Sequence, residues 1–221
     1  MSYLGPTRYI ESDHLEVVAF ARRASSGAAS ARDRAVRLYY AVRDGFRYDP
    51  WAFSLEPEVL RASTTLASGS SFCIPKAILL AAAARAVGIP SRLAFADVRN
   101  HLASERLLAV MRTNLFAFHG MTELRIEGRW VKATPAFDID LCQLFGVLPL
   151  EFDGRRDSTL HPFDRAGKLH MEYVVDRGSF ADLPLDELTR VTHEHYPHLF
   201  DERGRLVGWA REARAAAAPD G

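Results

Sequence analysis

Cys73 stands immediately before a long apolar run, in the stretch GSSFCIPKAILLAAAARAVGIPSR. The thiolate form of cysteine is the nucleophile, and the N–H groups and positive dipole end at a helix N-terminus stabilise a negative charge there. Cys73 therefore occupies a position at which a nucleophile would be activated. The alternative is a structural role, because cysteine commonly packs in protein cores as a small hydrophobic residue.

His119 is the candidate partner of this thiol. Nucleophilic catalysis by cysteine needs a base, and a third group usually fixes the tautomer of the histidine. The stretch NLFAFHGMTELRIEGRWVKATPAF predicts two extended arms around a turn at positions 127 and 128, so that position 119 faces position 136. Thr134 and Asp138 then become the diagonal neighbours of His119 on one face, about 7–8 Å away at Cα. Pro135 weakens this register beyond position 134, because proline cannot donate to the ladder.

The apolar run after Cys73 predicts the helix that positions the thiol. From Cys73 to Val87, Lys76 and Arg85 are the main polar residues, which indicates a helix buried on nearly all sides. Pro75 suits the first helical turn, and the Gly-Ile-Pro sequence at positions 88–90 supplies a C-terminal stop. The helix is therefore expected to begin within a residue or two of Cys73 and to lie at the centre of the fold.

The remaining elements change from helix to sheet along the chain. Helices are predicted in SDHLEVVAFARRASSG and in SARDRAVRLYYAVRDGF, where Ser30 can cap the start and Gly45 can close the end. A short extended piece at FRYDP and a covering loop over 51–70, with one helical turn around EPEVLRA, follow. Strands are predicted at SRLAFADVR and HMEYVV, and a last helix at LPLDELTRVTHEHY. The pattern indicates an α+β fold.

Two of these stretches resemble a known family. FCIPKAILLAAAARAVGIPSRLAFADVR and HGMTELRIEGRWVKATPAFD, which together span roughly residues 69–138, are similar to the transglutaminase-like superfamily, relatives of the papain-like cysteine proteases. The resemblance implies a transglutaminase-like, papain-like core in which the nucleophile helix packs on an antiparallel sheet. It also implies that Cys73 is the nucleophile and that His119 is the general base and acid.

The third catalytic position departs from the family pattern. The family usually has Trp-Val-x-x-Asp-Pro, whereas WVKATPAFD places Thr134 where the acid is expected and Asp138 four residues later. Asp138 is the preferred third member, because a carboxylate stabilises an imidazolium better than a hydroxyl does. Thr134 could still orient a neutral ring. Met121 also replaces a tryptophan that is common in the family two residues after the histidine.

An acyl transfer also needs donors for the tetrahedral oxyanion. The backbone N–H of Cys73 at the helix start is the natural first donor. The second donor stays open, since Trp51, Ser70 and Ser71 could each supply one but are as well explained by packing or loop structure.

Composition limits the other classes of function. The chain has 221 residues, 48% of them hydrophobic and 25% charged, which predicts a single domain over 1–210 and a disordered tail over 211–221. Its 28 basic and 28 acidic residues leave no net charge, so neither nucleic acid nor a membrane surface is an expected partner. No signal pattern and no long apolar span are present, which predicts a cytoplasmic protein of undetermined oligomeric state.

No cofactor and no metal are expected. His193, His195 and His198 cluster in THEHYPH, but on a helix 193 and 195 would point to different faces and Pro197 interrupts the turn. Cys142 lies among apolar residues and is most simply a core residue.

Together, these features predict a cysteine hydrolase or acyltransferase. Such an enzyme would attack an amide or ester of a peptide, a protein or a small amide, and would form a thioester on Cys73; peptidase, amidase and transglutaminase reactions share this step. The alternative is a catalytically inactive transglutaminase-like module that binds or scaffolds, which the threonine at position 134 favours.

Overall fold

The computed structural model describes residues 3–160, 166–209 and 212. The helices are α1 (Leu15–Ala24), α2 (Ala31–Gly45), α3 (Ala62–Ser68), α4 (Cys73–Ala86), α5 (Glu105–Met111), α6 (Ile139–Leu144) and α7 (Leu185–His195). The strands are β1 (Arg47–Tyr48), β2 (Ser70–Ser71), β3 (Ser91–Asn100), β4 (Leu115–Ile126), β5 (Arg129–Ala133) and β6 (Met171–Phe180). Short 3-10 turns lie at Pro50–Ala52 and Pro197–Leu199.

The central sheet is antiparallel, with the strand order β5-β4-β3-β6. Its β4–β5 hairpin has the predicted register, since Ile126 pairs with Arg129 and Leu124 with Val131. The turn residues at 127 and 128 both have positive φ, which matches the right-handed twist of the two arms. The ladder stops at Ala133, just before the proline that cannot extend it.

Helix α4 lies between the sheet and the helices α1, α2 and α3. Every residue from Ile74 to Arg85 is buried, as the nearly continuous apolar run predicts. The helix begins at Cys73 after an extended Phe72, and its end is closed where the N–H of Ile89 donates to the carbonyl of Ala84. The predicted start of this helix at Cys73 is confirmed.

The two charged residues of α4 are buried and act as ties to its neighbours. Lys76 donates from Nζ to the carbonyls of Arg43 and Phe46 at the end of α2, and burial lowers its pKa to about 7. Arg85 donates to the carbonyls of Ser91 and Ala181, at the start of β3 and just after β6. Both cations thus satisfy backbone oxygens that would otherwise be buried without donors.

Residues 51–70 differ in part from the prediction. The turn at EPEVLRA is present, because Val59 donates to the carbonyl of Glu56. The Ser/Thr-rich stretch after it, however, forms α3, which ends at Gly69 in the left-handed region (φ 68°). Thr65 is buried there and its hydroxyl donates to the carbonyl of Arg61, so tertiary packing overrides the weak helix propensity of the sequence.

Helices α5 and α6 were not predicted, because each has only six or seven residues. Both begin at a side-chain cap: the hydroxyl of Ser104 accepts from Leu107 N, and the carboxylate of Asp138 accepts from Leu141 N.

Two of the remaining expectations are not tested here. The predicted disordered tail over 211–221 lies outside the described residues, apart from Glu212, and the single domain over 1–210 stays a prediction. Within the described part of the chain, no helix has both the length and the hydrophobicity that a bilayer crossing requires.

Candidate active site

Cys73 is the first residue of α4, and its thiol faces backbone N–H groups. The N–H groups of Gly120, Ile74 and Cys73 itself lie against the sulfur. Burial is the larger influence and raises the pKa of the Cys73 thiol to about 11, although these N–H groups act in the opposite direction. The N–H groups at the helix start thus lower the pKa of the thiol, as the sequence predicts, but desolvation raises it by more.

His119 lies on β4, opposite Ala96 of β3, with its side chain turned into the protein. The residue is 6% exposed, and burial lowers its pKa from 6.5 to about 4. The imidazole is therefore neutral at pH 7, and so is the thiol of Cys73. A proton transfer between them would create an ion pair inside the protein rather than use one already formed.

Gly120 allows β4 to approach the first turn of α4. A Cβ atom at this position would lie 2.9 Å from the Cα of Ile74, which is closer than carbon atoms pack. Two residues further on, the hydroxyl of Thr122 donates to the carbonyl of Ala77 at 2.7 Å. These two contacts seat the strand that carries His119 on the helix that begins at Cys73.

A bulge in the sheet precedes His119. Phe118 has a φ of 61°, rare for a residue with a side chain, and the β3–β4 register shifts between Ala96 and Val98. The N–H of Phe118 donates to Oδ1 of Asp97 at 3.0 Å, and Arg177 donates to both oxygens of the same carboxylate at 2.9 and 2.6 Å. A buried ion pair therefore holds the strained backbone that orients His119.

Sequence reasoning treated Asp97 only as one residue of an alternating strand. A signal was available, however: an aspartate in the middle of an otherwise apolar strand needs a charged or N–H partner when it is buried, as Asp97 is at 1% exposure.

Asp138 is the N-cap residue of α6, and its side chain contacts the end of β1. Its Oδ1 accepts from Leu141 N at 2.9 Å, and its Oδ2 accepts from Tyr48 N at 2.6 Å. Both carboxylate oxygens are thus engaged by backbone N–H groups. Across residues 3–160 and 166–209, no hydrogen bond joins Asp138 to His119.

Thr134 lies beside His119, and the two residues line one small cavity. Thr134 is 3% exposed, and its Oγ1 has no hydrogen-bond partner among the described residues. A buried hydroxyl without a partner is unusual and available to a neighbour. The structure therefore places Thr134 and His119 on the wall of one cavity without a hydrogen bond between them, and the third catalytic role stays a prediction for Thr134 and for Asp138 alike.

Tyr48 is a site residue that sequence reasoning missed. Burial raises the pKa of its phenol well above 10, and a negative charge on the Cys73 thiol would raise it further, because the two groups are close. Its ring packs edge-on against Phe137 at 4.9 Å between centroids. The only sequence signal was its place in a short extended piece shortly before a cysteine helix.

Two cavities meet at His119, and one of them also borders Cys73. The thiol-side cavity has walls from Cys73, Ile74, Phe53, Met111 and Trp209, and it measures about 590 Å³ including its mouth. The imidazole-side cavity, of about 880 Å³ including its mouth, has walls from Asn100, Ser104, Phe145 and His170 and does not touch the thiol. Tyr48, Pro50, Leu107, Phe116 and His119 border both cavities.

The other residues singled out from the sequence lie elsewhere or in supporting positions. Ser70 and Ser71 form β2, which pairs with β1. Trp51 borders the imidazole-side cavity, and Cys142 is fully buried in α6.

The three histidines of THEHYPH make separate contacts. His198 bonds the carbonyl of Val110, His195 lies 3.9 Å from Asp97, and the ring of His193 packs on Phe200. Among the described residues, no three histidine, cysteine or acidic side chains are grouped as metal ligands.

Comparison with known proteins identifies the same core. Residues 18–135 match the family model described as "Transglutaminase-like superfamily". No curated protein sequence matches the chain.

Two solved structures match parts of the chain at low sequence identity. A "Putative Cysteine Protease" from Cytophaga hutchinsonii has 16% identity and a TM-score of 0.52, over 81% of this chain and 46% of its own. A "putative protease" from Parabacteroides distasonis ATCC 8503 has 16% identity over 56% of this chain and 24% of its own; its TM-score of 0.41 carries no argument. The chain spans less than half the length of either protein.

Proposed function

The chain belongs to the transglutaminase-like superfamily, and from this premise we propose that it is a cysteine-dependent acyl-transfer enzyme that acts on amide or ester substrates. One observation carries the proposal: Cys73 and His119 line the same cavity, and three backbone N–H groups surround the thiol. A helix N-terminal thiol beside a neutral imidazole has the parts that nucleophilic acyl transfer needs.

In the first half of the reaction, His119 acts as a general base. It takes the proton of the Cys73 thiol as the sulfur bonds to the carbonyl carbon of the substrate, and the carbonyl oxygen becomes an oxyanion. The imidazolium then gives this proton to the leaving amine or alcohol as the C–N or C–O bond breaks. A thioester on Cys73 and a neutral His119 remain.

In the second half, water or an amine attacks the thioester. His119 removes a proton from the attacking group and returns one to the departing sulfur, so the thiol is restored and the acyl group leaves as an acid or an amide. Hydrolysis and transamidation differ only in this acceptor, and both belong to the proposal.

The oxyanion needs donors close to the sulfur. The N–H groups of Cys73 and Gly120 are the proposed pair, because both already lie against the thiol. The phenol of Tyr48 is a third donor that the sequence did not suggest, since its hydroxyl is buried close to the same sulfur.

Thr134 is the better-supported candidate for orienting His119. Its hydroxyl is buried, has no hydrogen-bond partner among the described residues and shares a cavity with the imidazole. The carboxylate of Asp138 already accepts two backbone hydrogen bonds. A neutral orienting group is compatible with a histidine that is itself neutral at rest.

The proposal is tested by trapping the thioester. The chain is mixed with p-nitrophenyl acetate and quenched in acid, and the acetylated peptide is located by mass spectrometry. We expect acetylation of Cys73, its loss in Cys73→Ala, and a roughly 100-fold slower rate in His119→Ala.

Cys142→Ala is the matched control, because Cys142 is fully buried and borders neither cavity. It should acetylate Cys73 at the rate of the unmodified chain. If neither p-nitrophenyl acetate nor longer esters form a thioester on Cys73, the inactive module becomes the better interpretation.

A further inference from the structure

The thiol-side cavity carries information about the acyl group, because it opens directly on the sulfur that would hold that group. Cys73 and Ile74 form its floor, whereas the imidazole-side cavity borders His119 without touching Cys73. An acyl group bound to the sulfur would therefore lie in the first cavity. The leaving group, which receives its proton from the imidazole, would face the second.

The walls of the thiol-side cavity are apolar and uncharged. The apolar side chains that border it include Phe53, Phe72, Leu107, Met111 and Phe116. Among the described residues that border it, none is an aspartate, glutamate, lysine or arginine. A charged acyl group would lose its hydration there without gaining a counter-ion.

Three of the polar side chains in this wall are already hydrogen-bonded within the protein. Thr192 Oγ1 donates to the carbonyl of Leu188 at 2.7 Å, and Trp209 Nε1 donates to the carbonyl of Pro50 at 3.1 Å. The hydroxyl of Tyr196 donates to a backbone carbonyl and accepts a backbone N–H, at 2.9 and 2.8 Å. A polar acyl side chain, such as a carboxamide, would find these three groups occupied, and the other polar side chains of the cavity, Tyr48 and His119, are engaged in the proposed reaction.

This wall is a property of the chain rather than of the family core. Thr192, Tyr196, Leu199 and Trp209 all lie beyond residues 18–135, the part that matches the family. Trp209 also packs against Trp51 and Phe53, with ring centroids 5.8 and 5.3 Å apart. The C-terminal part thus closes the cavity with aromatic surface.

We propose that the thiol-side cavity binds the acyl portion of the substrate and selects an uncharged, apolar acyl group, aromatic or branched aliphatic, over a carboxamide-bearing or charged one. The inference rests on the proposed function, because it identifies the cavity by the thioester it would hold. It goes further in naming the class of acyl donor.

Binding without turnover tests the selection. In the Cys73→Ala protein, dissociation constants are measured by tryptophan fluorescence and NMR titration for 3-phenylpropanamide, for the polar glutaramide and for the charged succinamate. We expect 3-phenylpropanamide to bind at least tenfold more tightly than either polar probe. Equal affinities, or tighter binding of glutaramide, would overturn the proposal.

The location is tested by filling the cavity. Ala117→Phe and, in a second protein, Met111→Phe place a ring within the thiol-side cavity, since both residues border it and not the imidazole-side cavity. Ala109→Phe is the matched control, because Ala109 is exposed on α5 and borders no cavity described above. Affinity for 3-phenylpropanamide should fall at least tenfold in a folded filling variant and stay unchanged in the control; retained affinity in both filling variants would overturn the location.

The failure of the proposed function would have a different signature. The p-nitrophenyl esters of 3-phenylpropanoic acid and of glutaramic acid are compared as acylating agents of Cys73, with at least a tenfold preference expected for the first. If neither ester acylates Cys73 while 3-phenylpropanamide still binds selectively, acyl transfer is wrong and the apolar selection of the cavity is supported. If both esters acylate Cys73 equally, acyl transfer is supported and the selection is overturned.

Discussion

The proposed chemistry of Cys73 and His119 depends on how burial changes the pKa values of their side chains. The pKa of the Cys73 thiol is raised to about 11 and that of the His119 imidazole is lowered to about 4. Both shifts favour the neutral pair, so no thiolate–imidazolium pair is needed before substrate arrives. In the proposed reaction, proton transfer and attack on the carbonyl would then occur together, which is general-base rather than preformed ion-pair catalysis.

This arrangement predicts an unusually flat pH profile. His119 is a competent base above about pH 4, and Cys73 stays protonated below about pH 11, so kcat/KM for thioester formation should change little between about pH 5 and pH 9. The measurement is ester acylation across this range, corrected for the Cys73→Ala background. An inflection near 6.5 or near 8.5 would contradict the neutral pair.

The third position gives a second prediction at this scale. Thr134→Val removes the hydroxyl proposed to orient His119 during the reaction, so kcat/KM should fall about tenfold. Because this hydroxyl is buried without a partner, the melting temperature should stay equal or rise. Asp138→Asn puts an amide NH₂ against one of two backbone N–H donors. It should lower the melting temperature and leave the kcat/KM of the folded fraction nearly unchanged.

The two variants are matched because each keeps the shape of its side chain. The reverse ranking, with Asp138→Asn the more damaging to turnover, would return the third role to Asp138, as the sequence alone favours.

Residue types and spacing singled out Cys73 and His119 as candidate site residues, but they could not give the protonation of these side chains. Desolvation depends on the walls of a cavity, and those walls come from distant parts of the chain. Tyr48 was missed for the same reason, because its nearness to Cys73 arises only when β1 pairs with β2.

At the scale of elements, the contact between β4 and α4 decides how His119 meets Cys73. Gly120→Ala would place a methyl group 2.9 Å from the Cα of Ile74 and push the strand from the helix. We expect the free energy of unfolding to fall by about 1–3 kcal/mol and acylation to slow by roughly 100-fold. Urea denaturation and thioester trapping measure the two effects.

Gly45→Ala is the control for this substitution. Gly45 is the last residue of α2 and has nothing within 4 Å of the added methyl group, so stability should stay equal or rise slightly. Equal acylation rates in the two variants would mean that the strand can shift without loss of geometry.

The hairpin and the helix start were predictable because each depends on local chemistry: a two-residue turn, an alternating pattern, a proline in the first helical turn. The bulge at Phe118 was not predictable in this way. It exists because Asp97 accepts the N–H of Phe118 and pairs with Arg177, which lies 80 residues further along the chain.

At the scale of the whole molecule, the lowered pKa of His119 makes the free energy of unfolding depend on pH. The pKa of His119 is about 4 in the folded protein and about 6.5 in the unfolded chain. Between pH 4 and pH 6.5, His119 is therefore protonated in the unfolded chain and neutral in the folded protein. Stability contributed by this residue is present above about pH 6.5 and is lost as the pH falls toward 4. The loss amounts to about 3 kcal/mol.

The check is urea denaturation at pH 4.5 and pH 7 for the unmodified chain and for His119→Phe. The unmodified chain should lose about 2–3 kcal/mol more than the variant between the two pH values. An equal loss in both would show that other groups account for the acid sensitivity.

The last third of the chain shows where sequence reasoning stops. It matched no motif, although Tyr196 and Trp209 wall the thiol-side cavity and bond to β4 and to Pro50. Such contacts join residues 80 to about 160 positions apart, which neither periodicity nor spacing encodes.

The protonation of the Cys73 thiol, which borders the thiol-side cavity, also affects how fast this residue is oxidised. Peroxide oxidises thiolates, and desolvation raises the pKa of the Cys73 thiol to about 11, so little thiolate is present at pH 7. Sulfenic acid should therefore form on this residue far more slowly than on a low-pKa cysteine. In the absence of substrate, the protonated state of the Cys73 thiol would therefore protect this residue from oxidation.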